Sequence, residues 1–325
     1  MSNEIQMTNV EGATRGRRLH QGFRASSFIR HSSFAIRHSS RLVLAIVVAC
    51  GLVVWRGSDR VPTGAAAGTQ FESPAGHALR FAQGAPHVSR DTLRVATFNI
   101  HGGRGTDGMR DLSRIADLLN GFDIVGLNEV HGARIGSGNN QAARLGKDLD
   151  QPWLFAPTER RWWRDDFGNA VLLKLTVNHW YRLPLPATQG SGFRNVVWLT
   201  IPWGDRTVSV LVTHLDRTRD RETQLQTVLK MFQSLATPVI LMGDFNTTAT
   251  DRMLSRFLAD SDAIDAIGSP DLGNETSNRI DWILARGLTR VDSASVPTTA
   301  SDHPLMWAEL RLDDEASDSG KNTSP

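Results

Sequence analysis

Eight side chains able to bind a cation or move a proton fall where short apolar runs stop. Asn99 closes the run Leu93 to Phe98, Glu129 follows Ile124 to Asn128, and His214 follows Thr207 to Thr213. Asp244 and Asn246 come just after Val239 to Met242, Asp281 lies at the head of Ile280 to Leu284, and Asp302 with His303 precedes Leu305 to Leu310. Strand ends converge at one edge of a sheet, so such groups can meet in a single cleft. The carboxylates Glu129, Asp244, Asp281 and Asp302, with the carboxamides Asn99 and Asn246, make an oxygen-rich set that suits Mg²⁺ or Mn²⁺ better than zinc. Clustered carboxylates repel one another unless a cation neutralises them, and a divalent metal stabilises charge on a phosphoryl oxygen. Phosphate is therefore the natural substrate group.

The two histidines complete this chemistry. Asp281 can hold the ring of His303 by a hydrogen bond, so that the other ring nitrogen takes a proton from water. His214 can give a proton or a hydrogen bond to a phosphate oxygen. Taken singly, each residue has an ordinary use: His214 as a strand-end histidine, Asp244-Phe245-Asn246-Thr247 as a turn with an N-cap, Asp302 as a surface charge. Their joint occurrence points to a site.

Positioning these groups requires many strands. Strands are expected at Leu93 to Phe98, Ile124 to Asn128, Asn169 to Leu173, Val196 to Ile201, Thr207 to Thr213, Val239 to Met242, Ile280 to Leu284 and Leu305 to Leu310. Helices are expected at Met109 to Leu119, Gln141 to Leu149, Glu222 to Leu235 and Asp251 to Leu258, the last with Thr250 as N-cap. This alternation predicts one α/β domain over residues 93–311, and no repeat of solenoid length is visible.

The segments that carry these residues resemble the endonuclease/exonuclease/phosphatase superfamily, which includes pancreatic-type deoxyribonucleases, AP endonucleases, neutral sphingomyelinases and inositol polyphosphate 5-phosphatases. They are Thr97-Phe98-Asn99, Leu127-Asn128-Glu129-Val130, Gly168-Asn169-Ala170-Val171, Thr213-His214-Leu215, Gly243-Asp244-Phe245-Asn246, Arg279-Ile280-Asp281-Trp282-Ile283 and Ser301-Asp302-His303-Pro304, in the family's order. The resemblance implies a four-layer sandwich of two packed mixed β-sheets flanked by helices, and Mg²⁺-dependent hydrolysis of a phosphoester by in-line attack of water. It implies Glu129 as the principal metal ligand with Asn99 and Asp302 beside it, Asp244 and Asn246 positioning water or phosphate, His303 as base and Asp281 as its orienting partner. Two departures stand out. His214 occupies a position that is usually tyrosine in AP endonucleases, and Val171-Leu172-Leu173-Lys174-Leu175-Thr176 replaces the Ser-Arg-x-Pro often found there. No long insertion for gripping a DNA duplex is evident. Arg160-Arg161-Trp162-Trp163-Arg164 suits stacking on a base, resting at a lipid headgroup layer, or a strand edge with tryptophan in the core.

Composition narrows the partners. With 40% hydrophobic and 22% charged residues the 325-residue chain buries a real core, and its single cysteine, Cys50, excludes a disulfide framework and a cysteine-rich zinc site. The chain has 36 basic and 34 acidic residues; residues 1–92 carry 11 against 5 and residues 312–325 carry 1 against 4, which leaves 24 against 25 in 93–311. The main body is near neutral and lacks a large footprint for duplex nucleic acid.

Residues 1–41 are low-complexity sequence with seven arginines, or upstream sequence read from a start codon set too early. The uncharged stretch 42–55 has 14 residues, the length of a signal-peptide core rather than a spanning helix. With the arginines on its amino side it implies export or anchoring, the domain facing outside the cytoplasm. Ala65-Ala66-Ala67 offers small residues to a peptidase, and Val47-Val48-Ala49-Cys50 resembles a lipoprotein cleavage box. Residues 56–92 read as a linker and 312–325 as an acidic disordered tail.

The expected function is a divalent-metal-dependent phosphodiesterase or phosphatase outside the cytoplasm, acting on lipid headgroups or extracellular phosphodiesters. An extracytoplasmic nuclease is the alternative, and a non-catalytic, membrane-tethered phosphate-binding module comes third. No feature points to a protein partner.

Overall fold

The computed structural model describes residues 42–48, 50, 60–73, 91–133, 140–161, 164–188, 192–268 and 278–313. The chain divides into two compact units, residues 1–58 and 59–325. In the first unit, residues 42–48 and 50 are helical and exposed, and Cys50 is a free thiol. Among the described residues, no helix is long and apolar enough to cross a membrane. Residues 1–41 and 314–325 lie outside the described residues.

The second unit is built from fourteen strands among the described residues: β1 Arg60–Pro62, β2 Ala66–Gly68, β3 Thr92–Asn99, β4 Ile124–His131, β5 Trp153–Arg161, β6 Phe167–Leu173, β7 His179–Pro184, β8 Asn195–Trp203, β9 Arg206–His214, β10 Val239–Asp244, β11 Ile264–Asp265, β12 Asp281–Arg286, β13 Leu288–Val296 and β14 Leu305–Leu312. They form two seven-stranded mixed sheets, in the orders β1-β5-β6-β4-β3-β14-β13 and β11-β12-β10-β9-β8-β7-β2. The pairs β3/β4 and β9/β10 are parallel and the others antiparallel.

The period-two alternation of side chains explains the layers. Val95, Ile124, Val171, Val210, Val212, Ile240, Met242 and Ile283 point between the sheets and form the central core. Their neighbours point outward: Ala96, Phe98, Val125 and Leu127 meet Ile115, Leu119, Ala142 and Leu145 of the helices Leu112–Leu119 and Gln141–Leu149. On the other side Leu211, Leu241 and Leu284 meet Leu225, Val228, Phe232 and Leu254 of the helices Arg221–Ser234 and Arg252–Asp260. Helix, sheet, sheet, helix is the four-layer α/β sandwich expected from the sequence. Because both faces of the central strands are covered, β10 is buried at all six positions, and its residues Val239 to Met242 read as one apolar run.

Several boundaries differ from the sequence expectation. The first helix begins at Leu112 because Asp111 caps it, accepting a hydrogen bond from the Ser113 amide. The cap of the fourth helix is Asp251, accepting from the Met253 and Leu254 amides, rather than Thr250. Asp has the stronger N-cap preference of the two.

Residues 60–73, read as linker, instead supply two edge strands: β1 pairs with β5, and β2 pairs with β7. Ala66 and Ala67 register with Arg182 and Tyr181, so a peptidase cut there would strip β1 from its sheet. Four further strands, β5, β7, β11 and β13, were not expected from the sequence; β13 is mostly half-exposed or exposed edge sequence. Arg160 and Arg161 end β5, while Trp162 and Trp163 lie outside the described residues.

Candidate active site

Register alone carries the candidate residues to one edge. Asn99 ends β3 level with Asn128, which places Glu129 one residue beyond. His214 ends β9 level with Asp244 at the end of β10, and Asp244 in turn pairs with Asp281 at the head of β12. β14 runs antiparallel to β3 with Met306 opposite Thr97, so Asp302 and His303 arrive at the Asn99 end.

Local backbone details refine that placement. Gly243 has φ of 144°, and a Cβ there would fall 1.7 Å from the Thr213 carbonyl oxygen, so only glycine lets β10 lie this close to β9 before Asp244. Glu129 sits within β4, where the register with β6 jumps between Leu127 and Val130, and adopts φ of 56°. Asn246 at 49° and His101 at 47° share the left-handed conformation. Such residues cluster at functional sites, where the surrounding fold holds the strained backbone.

Asp281 Oδ2 lies 2.7 Å from His303 Nδ1. His303 Nε2 then faces Asn99 Nδ2 at 3.4 Å and Asp244 Oδ2 at 3.9 Å. Asn99 donates from Nδ2 to Asp244 Oδ2 at 3.0 Å, while its Oδ1 accepts from the His101 amide. Asn246 donates to the Leu215 carbonyl at 3.0 Å, and its Nδ2 lies 3.2 Å from His214 Nε2. With that orientation of the amide, His214 carries its proton on Nδ1. Ser301 donates to the Asn99 carbonyl at 2.7 Å and accepts from the His303 amide, joining the loop before β14 to the end of β3.

The charges are strongly perturbed. Burial pulls the His303 imidazolium down, but the hydrogen bond to Asp281 and the charges of Asp281, Asp244 and Asp302 outweigh it and raise its pKa to about 9. Burial, and then the charge of Asp281, push Asp244 up to about 7. Burial raises Asp281 too, opposed by its bond to His303. His214 goes the other way: burial first, then the charges of Arg194 and His303, hold it well below 6.5. His214 is thus a neutral hydrogen-bonding group near neutral pH, not the proton-loaded acid of the pair.

The sequence reasoning assigned no role to the support behind the site. Asn128 accepts from the Asp244 amide at 3.0 Å and donates to Asn169 Oδ1 at 2.9 Å and to the Thr213 carbonyl at 3.1 Å. Asn169 donates to Asn195 Oδ1 at 3.0 Å, and Asn195 to the Pro157 carbonyl at 3.0 Å. These three amides are at most 1% exposed and run between the sheets, from β4 and β6 to β8 and β10. Asn128 and Asn169 appeared in the motif segments, so polarity at two strand positions between apolar neighbours was the available signal.

The described His, Asp and Glu side chains whose ligand atoms gather most tightly, within 4.8 Å, are Asp244, Asp281 and His303. Asn99, His214 and Asn246 adjoin them, and half-buried Glu129 lies on the next strand. Asp302 is turned outward: its side chain is 55% exposed and lies 3.3 Å from His101 Nδ1. Oxygen donors dominate, and buried Asp281 Oδ1 has no hydrogen-bond partner. Four carboxylates at one edge against one imidazolium fit a hard divalent cation.

Residues 96–303 match the model of the endonuclease/exonuclease/phosphatase family, and the chain belongs to that family. Members of the family generally hydrolyse phosphoester bonds. No curated protein matches the chain. Among solved structures, it is similar to an endonuclease/exonuclease/phosphatase from Beutenbergia cavernae, at 25% identity over 69% of this chain and 72% of that one, with a TM-score of 0.56. The catalytic domain of human Nocturnin with bound sulfate aligns at 19% identity over 72% and 98%, with a TM-score of 0.52. A humanized D. rerio TDP2 aligns at 18% over 69% and 100%, with a TM-score of 0.51.

Proposed function

We propose that the chain is a divalent-metal-dependent phosphoester hydrolase that activates water with His303. The observation that carries this reading is the buried Asp281–His303 contact of 2.7 Å, with the free Nε2 facing the Asn99 and Asp244 end of the cleft. Asp281 fixes the ring and its tautomer, and Nε2 takes the proton from water as the water attacks in line. Asp244 and Asn246 orient that water or a phosphate oxygen, and neutral His214 contributes a hydrogen bond. Glu129, Asn99 and Asp302 would hold Mg²⁺ or Mn²⁺. The cation, when bound, supplies charge stabilisation to the phosphoryl oxygens.

A base must be unprotonated to act. Asp302, one of the carboxylates that raise His303 to about 9, is also among the proposed metal ligands, and a cation held there would offset part of that charge and return the imidazole toward a working range. The purified chain should hydrolyse bis(p-nitrophenyl) phosphate with Mg²⁺ or Mn²⁺ and stop in excess EDTA. Undiminished hydrolysis in EDTA would reject the metal requirement.

The site works outside the cytoplasm, on lipid headgroups or other extracellular phosphodiesters. The seven arginines before the apolar residues 42–55 and the near-neutral body support this. A reporter fused after residue 325 should be active only outside the cytoplasm; activity confined to the cytoplasm would overturn the location. Efficient nicking of plasmid DNA with no action on sphingomyelin or phosphatidylinositol would favour a nuclease instead.

A further inference from the structure

A cleft of about 240 Å³ is lined by Arg60, Arg161, Arg194 and Arg219, with Glu159 and Asp216. It lies on the Glu129 and His214 side of the site. Asp216 follows His214 by two residues, and Phe167, another wall of the cleft, registers with His131, two residues past Glu129. Gly192 completes the wall: a Cβ there would sit 1.9 Å from Asp216 Oδ2.

Four guanidiniums and two carboxylates line the cleft, and Glu129 and Asp244 act on Arg194 from the active-site side. Glu159 is committed, binding Arg161 Nε at 2.6 Å and lying 3.7 Å from Arg60 Nε. Arg194 and Arg219 make no ion pair among the described residues. Arg194 stacks 5.9 Å from the Phe167 ring that Arg161 covers at 4.9 Å, and its buried Nε has no hydrogen-bond partner. Arginines arranged this way match phosphate, which accepts several charge-assisted bonds at once.

We propose that this cleft binds a second phosphate of the substrate, so that the chain selects phosphoesters carrying another phosphate near the scissile one. The inference rests on the hydrolase reading and adds a substrate class to it. Arg194 precedes Asn195, whose amide belongs to the buried chain that ends on the Asp244 amide, and its charge acts on His214. Arg60 lies on β1, outside residues 96–303, so the cleft includes a residue beyond the family match.

The test separates the cleft from the chemistry. In EDTA, inorganic pyrophosphate should bind the purified full chain by titration calorimetry, and Arg219→Glu, at an exposed position, should weaken binding about tenfold or more. Arg194→Gln should weaken it as well; Arg219→Glu covers the case in which that half-buried change disturbs folding. With Mg²⁺, the 5′-p-nitrophenyl phosphate ester of thymidine and its 3′-phosphorylated counterpart give the substrate comparison. The second phosphate should lower KM by about tenfold, and Arg219→Glu should erase most of that advantage. Matched pairs of dinucleotides and of glycerophosphoinositols, each with and without an extra phosphate, identify the source by which pair gains more. Pyrophosphate binding unchanged by both substitutions, or no preference in any pair, overturns the inference. Bound pyrophosphate without hydrolysis of any ester leaves the cleft standing and rejects the hydrolase reading.

Discussion

His303 and His214 share one cleft yet are held in opposite protonation states. His303 is ringed by Asp281, Asp244 and Asp302 and is raised to about 9, whereas His214 is more deeply buried, faces the charge of Arg194 and is driven well below its usual value. Residue type is the same; neighbours decide the chemistry. The acidic end is suited to handle a proton and the basic end to hold an anion.

The sharpest way to break this contrast is Asp281→Asn. It keeps the side-chain volume but removes the carboxylate at Nδ1, so kcat should fall by about 10³ to 10⁴ with the fold retained, measured by steady-state kinetics and circular dichroism. The support between the two ends should respond next. Asn128→Ala leaves the Asp244 amide, Asn169 Oδ1 and the Thr213 carbonyl short of a partner, at about 1 to 3 kcal/mol for each group left buried and unsatisfied. Urea unfolding should show a loss of several kcal/mol, whereas the exposed change Arg256→Ala should cost little.

The smallest effect concerns pH. Because the folded pKa of His303 lies above its ordinary 6.5, its ion pairing stabilises the fold fully below about 6.5, and the contribution is lost as pH rises through about 9. Histidine NMR of the metal-free chain should show that high titration, and Asp302→Asn should shift it downward. His214 should remain neutral from pH 7 upward in the same spectra.

Much of this arrangement was legible in the sequence because chemistry-bearing residues interrupt apolar runs at their ends, as at Asn99, His214 and Asp244. The double burial of β10 and its neighbours made those runs conspicuous. Edge strands were harder to see: β1 and β13 bury little, so neither shows clear apolar alternation. Long-range partnerships were hidden as well. Nothing near Asn195 in the sequence announces Asn169, and the arginines of the cleft come from positions as far apart as 60 and 219. Glu129 was expected just past a strand end, but a bulge holds it inside β4, a backbone irregularity that side-chain pattern does not encode.

The most direct test of the account is the rate of His303→Ala on bis(p-nitrophenyl) phosphate with saturating Mg²⁺, in a preparation whose fold and Asn128-dependent stability match the parent. Loss of a general base predicts a fall of about 10² to 10⁴ in kcat. A rate within a few-fold of the parent would contradict the assignment of His303 as the group that takes the proton from water.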